Sequence, residues 1–81
     1  MHIDSADARV QVHRLTIGDY IWATDRVGKW YNAKIVDKDV DNPTFFGWVG
    51  QVRVHFLGWK ARFDEWIDIR DKHRFSLRCP I

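Results

Sequence analysis

The sequence predicts an all-β fold, a small antiparallel barrel, and two observations support this prediction. Short segments rich in Val, Ile, Tyr and Trp alternate with Gly, Asn and Pro turn signals. No segment has the sustained 3.6-residue apolar period of a long helix. A curled sheet also removes the exposed edges that a flat sheet of this size would leave. The 81 residues suffice for one such domain with a thin core.

Four or five segments have the composition of strands. In chain order they are residues 16–24, 30–37, 51–57, 63–69 and the short 74–78. The intervening DRVGK sequence predicts a turn in which Gly28 is available for a positive φ. We allow for a short helical turn near the C-terminus, where Pro80 ends the regular pattern.

The third of these segments carries the clearest signal. Val52, Val54 and Phe56 fall on one face and alternate with polar residues, which predicts that Phe56 begins in the core. Residues 38–50, just before it, are interpreted as a long connection because Gly and Pro residues interrupt them. Residues 1–14 are predicted to form a mostly irregular, flexible arm, and residues 15–81 form the domain.

Composition limits the classes of function. Thirteen Lys and Arg against eleven Asp and Glu give a net charge of +2, far from the strongly basic pattern of an obligate nucleic-acid binder. The single Cys79 excludes an internal disulfide and suits a reducing compartment. The N-terminal residues lack a signal-peptide pattern and no apolar run is long enough to span a membrane, so we expect a soluble, intracellular domain.

Catalytic and metal-binding motifs are missing from the sequence. The four histidines are too widely spaced for a zinc motif, and no glycine-rich phosphate loop occurs. Asp64 and Glu65 are adjacent on a predicted strand, so their side chains should point to opposite faces and not converge on one substrate. We therefore expect no enzymatic activity and no cofactor or metal.

The HFLGWKARFDEW segment, residues 55–66, is the most informative stretch. Phe56, Trp59 and Phe63 would share one face of a helix, but Gly58 and the β-rich flanks argue against that interpretation. In a barrel the rings are either buried or form walls at its open end. Such walls suit a methylated lysine, which keeps its charge but loses hydrogen-bond donors.

A resemblance to a known family rests on this segment and on two weaker ones. GDYIWA, KWYNAKI and VRVHFLGWKARFDEWI together resemble the chromo-barrel or Tudor-knot family over residues 17–78. Its members include domains of MYST acetyltransferases, MRG proteins and PHD-finger Tudor proteins. The resemblance implies a five-stranded, strongly bent, SH3-like barrel that binds methyl-lysine or nucleic acid. It further implies a nuclear location and a place within a larger chromatin-modifying enzyme or complex.

Carried over by position, the family's aromatic cage implies a specific set of residues. The cage rings correspond to Tyr31, Phe56, Trp59 and Phe63. Trp30 and Trp66 match structural positions, which places them in the core. The first turn, where relatives offer a ring, supplies Asp25 or Arg26 in this chain, and Asp64 is a further candidate for the rim. A carboxylate at the rim would favour lower methylation states, which retain an N–H.

Two alternatives to a histone-tail or other methyl-lysine peptide remain open. One is RNA or DNA binding through dispersed basic residues, Arg53, Lys60, Arg62, Arg70, Lys72, Arg74 and Arg78. The other is docking to further subunits of a chromatin complex, for which the FFGW sequence at 45–48 offers an apolar contact if it does not fold back on the core. As an isolated domain the chain is expected to be monomeric.

Overall fold

Five antiparallel strands make up the fold. The computed structural model describes residues 11–44 and 47–80, and for residues 43 and 44 it describes the backbone alone. The strands are β1 (Tyr20–Thr24), β2 (Trp30–Thr44), β3 (Gly47–Phe56), β4 (Glu65–Asp68) and β5 (Phe75–Ser76). They form one sheet in the order β4-β3-β2-β1-β5, which confirms the predicted all-β class.

The sheet bends until its two edge strands approach each other. Glu65 begins β4 and Arg74 directly precedes β5, yet an Arg74 Nη2–H donates to the Glu65 carboxylate over 3.1 Å. A register shift between Ile35 and Asp37 marks a bulge in β2, which increases local twist and curvature. The two sheet edges are therefore close to each other, as in a small barrel.

Alternation along the strands accounts for the core. Val52 and Val54 are fully buried and Phe56 is almost so, which confirms the predicted inner face of β3. The remaining members come from the other strands, from the chain before β1 and from the turn after β4: Val12, Leu15, Ile21, Ala23, Ala33, Ile35, Ile67, Ile69 and Phe75. A core of this size gives each buried side chain a large share of the total stability.

The predicted long connection over residues 38–50 is wrong. Strands β2 and β3 continue to pair through most of it, up to the pair Thr44 and Gly47. The residues that suggested turns instead cause local irregularities within this hairpin. The register shifts between Asp41 and Thr44, and Gly50 takes a φ of 131°. Long-range pairing has thus overridden the local turn signals.

Two tryptophans predicted in the core lie elsewhere. Trp66 is 42% exposed, because Ile67 occupies the inner face of β4 and its neighbour must point outward. Trp30, at the start of β2, is half-buried and lines a surface cavity with Arg74. Neither belongs to the core cluster.

The chain before β1 is more ordered in part than an irregular arm. Val12–Arg14 form one turn of 3-10 helix, and Val12 is buried against the core. Residues 1–10 lie outside the described part of the chain. Another short 3-10 helix, Lys72–Arg74, matches the helical turn allowed near the C-terminus.

Candidate functional site

Four aromatic rings meet at one end of the barrel. Tyr31 is the second residue of β2, and Phe56 is the last residue of β3. Trp59 follows the turn at Gly58, whose φ of 88° reverses the chain, and Phe63 ends the 3-10 helix Ala61–Phe63. The helical alternative for this segment is therefore wrong beyond that single turn.

The rings stand at steep angles to one another. The Tyr31 centroid lies 5.5 Å from that of Trp59 at 84° and 5.6 Å from that of Phe56 at 65°. Trp59 and Phe63 are 5.3 Å apart at 75°. Edge-to-face contacts of this kind stabilise the arrangement of the rings and leave π faces directed toward a common space.

The rings enclose a small cavity. Its volume is about 120 Å³ and it is lined by the four rings together with Asp25 and Glu65. Phe56 is 3% exposed and forms the floor, whereas Trp59 and Phe63 are 41% and 42% exposed and form walls. Below, this space is called the ring cavity. Its lining combines π faces and carboxylates, which is suited to an organic cation.

Asp25 faces the ring cavity from the turn between β1 and β2. Its Oδ1 accepts the backbone N–H groups of Val27 and Lys29 over 3.0 and 2.9 Å, and Gly28 has a φ of 90°. These contacts confirm the predicted turn at DRVGK. Within the described part of the chain, Asp25 Oδ2 accepts no hydrogen bond and stays available to a ligand.

Glu65 is the cavity residue that sequence reasoning missed. Its Oε1 accepts from Arg74 over 3.1 Å and lies 3.7 Å from Nε of Arg26. Two guanidinium groups thus offset the Glu65 charge, whereas the Asp25 carboxylate is bound only by neutral amides. The period-two alternation of a strand would have identified Glu65, because it is two residues from the buried Ile67 and lies on the same inner face of β4.

Two of the predicted rim residues are not in the ring cavity. Asp64 hydrogen-bonds Nδ1 of His55 over 2.7 Å and lies 3.6 Å from Nε of Arg53, with its side chain 7% exposed. Asp64 therefore holds the segment that follows the 3-10 helix Ala61–Phe63 against β3. Arg26 points to Glu65, and its side chain is 84% exposed. Asp64 and Glu65 thus have different partners. Asp64 precedes β4, and both side chains line a second cavity described below, so the prediction that they point to opposite faces of one strand is wrong.

The basic residues proposed for nucleic acid do not form one face. Arg74 donates to the Thr24 carbonyl over 2.6 Å and to Glu65, with its side chain 16% exposed, so it is a structural residue. Arg53 contacts Asp64, and Lys60 and Arg62 lie beside the ring cavity end of the barrel. Of the predicted set, Arg70 and Lys72 are the two that line one cavity together.

That cavity, called the basic cleft below, is about 490 Å³ in volume. Its lining residues are Gln11, Val12, His13, Arg14, Trp48, Ile69, Arg70 and Lys72. His13 stacks on Trp48 with centroids 4.8 Å apart and planes 11° apart. Burial, together with the charges of Arg14, Lys38 and Lys72, lowers the pKa of His13 below its ordinary value. The lining has three basic side chains, Arg14, Arg70 and Lys72, and no acidic one, which gives the cleft a positive potential.

Acidic groups offset only part of this potential. The Asp68 carboxylate binds Nη2 of Arg70 over 2.8 Å, and that hydrogen bond lowers the pKa of Asp68. Lys38 Nζ donates to the carbonyl oxygens of His13 and Leu15, each over 2.7 Å, and these neutral partners do not cancel its charge. The cleft was not apparent from the sequence, because its parts are brought together only by the packing of residues 11–15 against the sheet.

The described residues show neither a group of metal ligands nor a membrane-spanning helix. Across residues 11–44 and 47–80, no three His, Cys, Asp or Glu side chains group closely enough to hold a metal ion. No helix in these ranges has the length and apolar character to cross a bilayer.

Comparison with known proteins finds a similar sequence within PHD finger proteins. The chain is 38% identical over 50 residues to PHD finger protein 20 of mouse and, equally, to that of human. The match covers 62% of this chain but 4% of those proteins, so the chain spans a small part of their length. No solved structure matches the chain.

A family model extends this similarity over most of the domain. The Tudor-knot model, described as the RNA binding activity-knot of a chromodomain, matches residues 15–71. This range contains every residue that lines the ring cavity: the four rings, Asp25 and Glu65. The resemblance noted in the sequence is thus confirmed, and the chain belongs to the Tudor-knot family.

Proposed function

We propose that this domain is a non-catalytic, chromatin-associated reader that binds a methylated lysine side chain in the ring cavity. The observation that carries the proposal is the convergence of Tyr31, Phe56, Trp59 and Phe63 around a space of about 120 Å³. Methylation removes donors and hydration from the ammonium group but leaves its charge. Each π face contributes about 0.5–2 kcal/mol to holding such a cation, depending on how well it is desolvated.

The chromatin setting rests on similarity. The PHD finger proteins that the chain matches over 50 residues and the chromodomain named in the family description both support it. A nuclear location, a histone-type tail as ligand and further subunits of a chromatin complex as neighbours belong to the same proposal.

Asp25 gives the cavity a preference for lower methylation states. Its free Oδ2 can accept a hydrogen bond from a mono- or dimethylammonium N–H, which a trimethylammonium lacks. Peptides carrying unmodified, mono-, di- or trimethyl-lysine are titrated into the isotope-labelled domain and followed by NMR. This titration tests both the binding of methyl-lysine and the preference for lower methylation states. We expect mono- or dimethyl-lysine to bind about three- to tenfold tighter than trimethyl-lysine, with shifts at the four ring residues. A titration that is silent in every methylation state would refute the reader function.

The Asp25→Asn variant separates charge from structure. The amide oxygen can still accept the N–H groups of Val27 and Lys29, so the turn should persist. We expect weaker binding of all methylated peptides and a smaller difference between dimethyl- and trimethyl-lysine. An unchanged preference in this variant would contradict the role assigned to Asp25.

Nucleic-acid binding is a second candidate, and the basic cleft favours it. A stacked His13–Trp48 pair beside Arg14, Arg70 and Lys72 offers a surface for a base and cations for phosphates. Stacking of this kind is worth about 1–3 kcal/mol per base. The site differs from the dispersed set predicted from the sequence, of which it includes Arg70 and Lys72.

A salt titration with a short single-stranded oligonucleotide tests this candidate. The double variant Arg14→Gln/Lys72→Gln should weaken binding and flatten the dependence of affinity on salt, by about 0.7 in log–log slope for each phosphate that the variant no longer neutralises. Arg53→Gln/Lys60→Gln removes the same charge outside the cleft and should change binding little. Equally weakened binding in both double variants would indicate nonspecific attraction and exclude a defined site.

A further inference from the structure

A second cavity adjoins the ring cavity and shares three of its lining residues. Its volume is about 350 Å³; Asp25, Phe63 and Glu65 are common to both, and its other lining residues are Arg26, Val27, Arg62 and Asp64. Below, this second cavity is called the side groove. A lysine side chain seated between the rings would leave its peptide backbone at the rim. The side groove is therefore where residues near the lysine would lie.

Two of the three carboxylates of the side groove are already paired with cations. Asp64 is bound by His55 and lies close to Arg53, and Glu65 is bound by Arg74. Asp25, whose Oδ1 accepts two backbone N–H groups, also faces the ring cavity and would serve the methylammonium group. Little negative charge in the groove remains for a positively charged neighbour of the lysine.

The two cations of the side groove are less fully engaged. No ion pair within residues 11–44 and 47–80 includes Arg62, whose guanidinium carbon lies 4.9 Å from the Phe63 ring centroid. That contact holds the guanidinium group against a ring that is also a wall of the ring cavity. Arg26 touches Glu65 through Nε at 3.7 Å, and with its side chain 84% exposed it can bind a further anion.

We infer that the side groove selects a peptide in which a residue close to the methyl-lysine carries an anionic side chain, either a carboxylate or a phosphate. This inference rests on the proposed function of the ring cavity. Guanidinium groups bind both oxyanions through paired N–H donors, a geometry that a lysine cannot reproduce. An extended peptide advances about 3.3–3.6 Å per residue, so the selected residue should lie within about three positions of the lysine.

A basic residue next to the methyl-lysine is the contrasting case. Lys or Arg beside the methyl-lysine would face Arg26 and Arg62 with like charge, which disfavours the complex. Val27, which is 88% exposed, would be the contact for an apolar neighbour. These three kinds of neighbour give the inference its competing outcomes.

Peptides that differ at one flanking position test the inference. Each carries the same dimethyl-lysine with Glu, phosphoserine, Gln, Leu or Lys at one of the three positions on either side, and calorimetry gives the dissociation constants. At one position or more we expect Glu to bind roughly two- to fivefold tighter than Gln, phosphoserine to bind tighter still because of its larger charge, and Lys to bind weakest. A gain for phosphoserine alone also supports the inference and identifies phosphate as the anion.

The variants Arg62→Gln and Arg26→Gln should abolish this ranking. Arg78→Gln removes the same charge outside the side groove and should preserve it. Binding of a single capped dimethyl-lysine, which has no flanking residues, should not weaken in any of the three variants. If the capped dimethyl-lysine does not bind the unaltered domain, the proposed function fails. If it binds but Gln, Leu or Lys equals or exceeds Glu and phosphoserine at every position, the side-groove inference alone is overturned.

Discussion

Replacing Trp59 with alanine is expected to weaken binding of a dimethyl-lysine peptide by about 10- to 30-fold. Trp59 is the central wall of the ring cavity, because its centroid lies 5.5 Å from that of Tyr31 and 5.3 Å from that of Phe63. Its truncation removes one π face and opens the space between two others to water. Water would then solvate the cation and weaken the remaining contacts.

Trp66→Ala is the matched control for this experiment. Trp66 is exposed to nearly the same extent as Trp59, 42% against 41%, but lies on the outer face of β4. The Trp66→Ala variant should therefore bind the peptide as the unaltered domain does. Thermal unfolding of both variants checks that the fold is intact. Equally weakened binding in the two variants would show that the ring cavity is not the binding site.

Replacing Gly50 with alanine is expected to destabilise the fold by at least about 3 kcal/mol. A Cβ at this position would collide with the backbone carbonyl group of Asp39 and approach the Cα of Val40 to 2.8 Å. The φ of 131° adds strain of about 1–3 kcal/mol for a non-glycine residue. Backbone atoms of the paired strand cannot move aside as a flexible side chain could, so the β2–β3 hairpin must distort.

The Gly28→Ala variant provides the comparison for Gly50→Ala. Gly28 has a φ of 90°, but nothing lies within 4 Å of a Cβ built there. Its replacement should cost only the backbone strain, and the urea midpoint should fall much less. Since a domain of this length has a total stability of about 4–12 kcal/mol, Gly50→Ala should lose roughly a quarter or more of that stability. Equal midpoints for the two variants would contradict the steric argument.

Glycine positions also show how far local signals reach. Gly28 was predicted to take a positive φ in a turn, and it does. Gly50 was interpreted as one of the breaks in a long connection, but it lies inside β3 opposite Val40. The sequence signal is the same in both cases. What differs is the partner strand, which is distant in sequence and continues the pairing past the irregularity.

The candidate site was predictable in its rings and less so in its charges. Residues Tyr31, Phe56, Trp59 and Phe63 were identified through the family resemblance, and the fold brings all four together. Asp64 was a candidate for the rim, yet its carboxylate is engaged by His55. A charged side chain settles where its desolvation is best compensated, and the compensating groups come from other strands.

The sequence by itself determined the all-β class, the inner face of β3 and the family to which the chain belongs. Each depends on local information: the period of two along a strand, and a motif contained in twelve consecutive residues. Only the tertiary structure decided that Glu65 lines the ring cavity, that Trp66 faces outward and that His13 stacks on Trp48 beside three cations. These outcomes depend on which strands meet when the sheet bends, because that closure sets the distance between side chains remote in sequence.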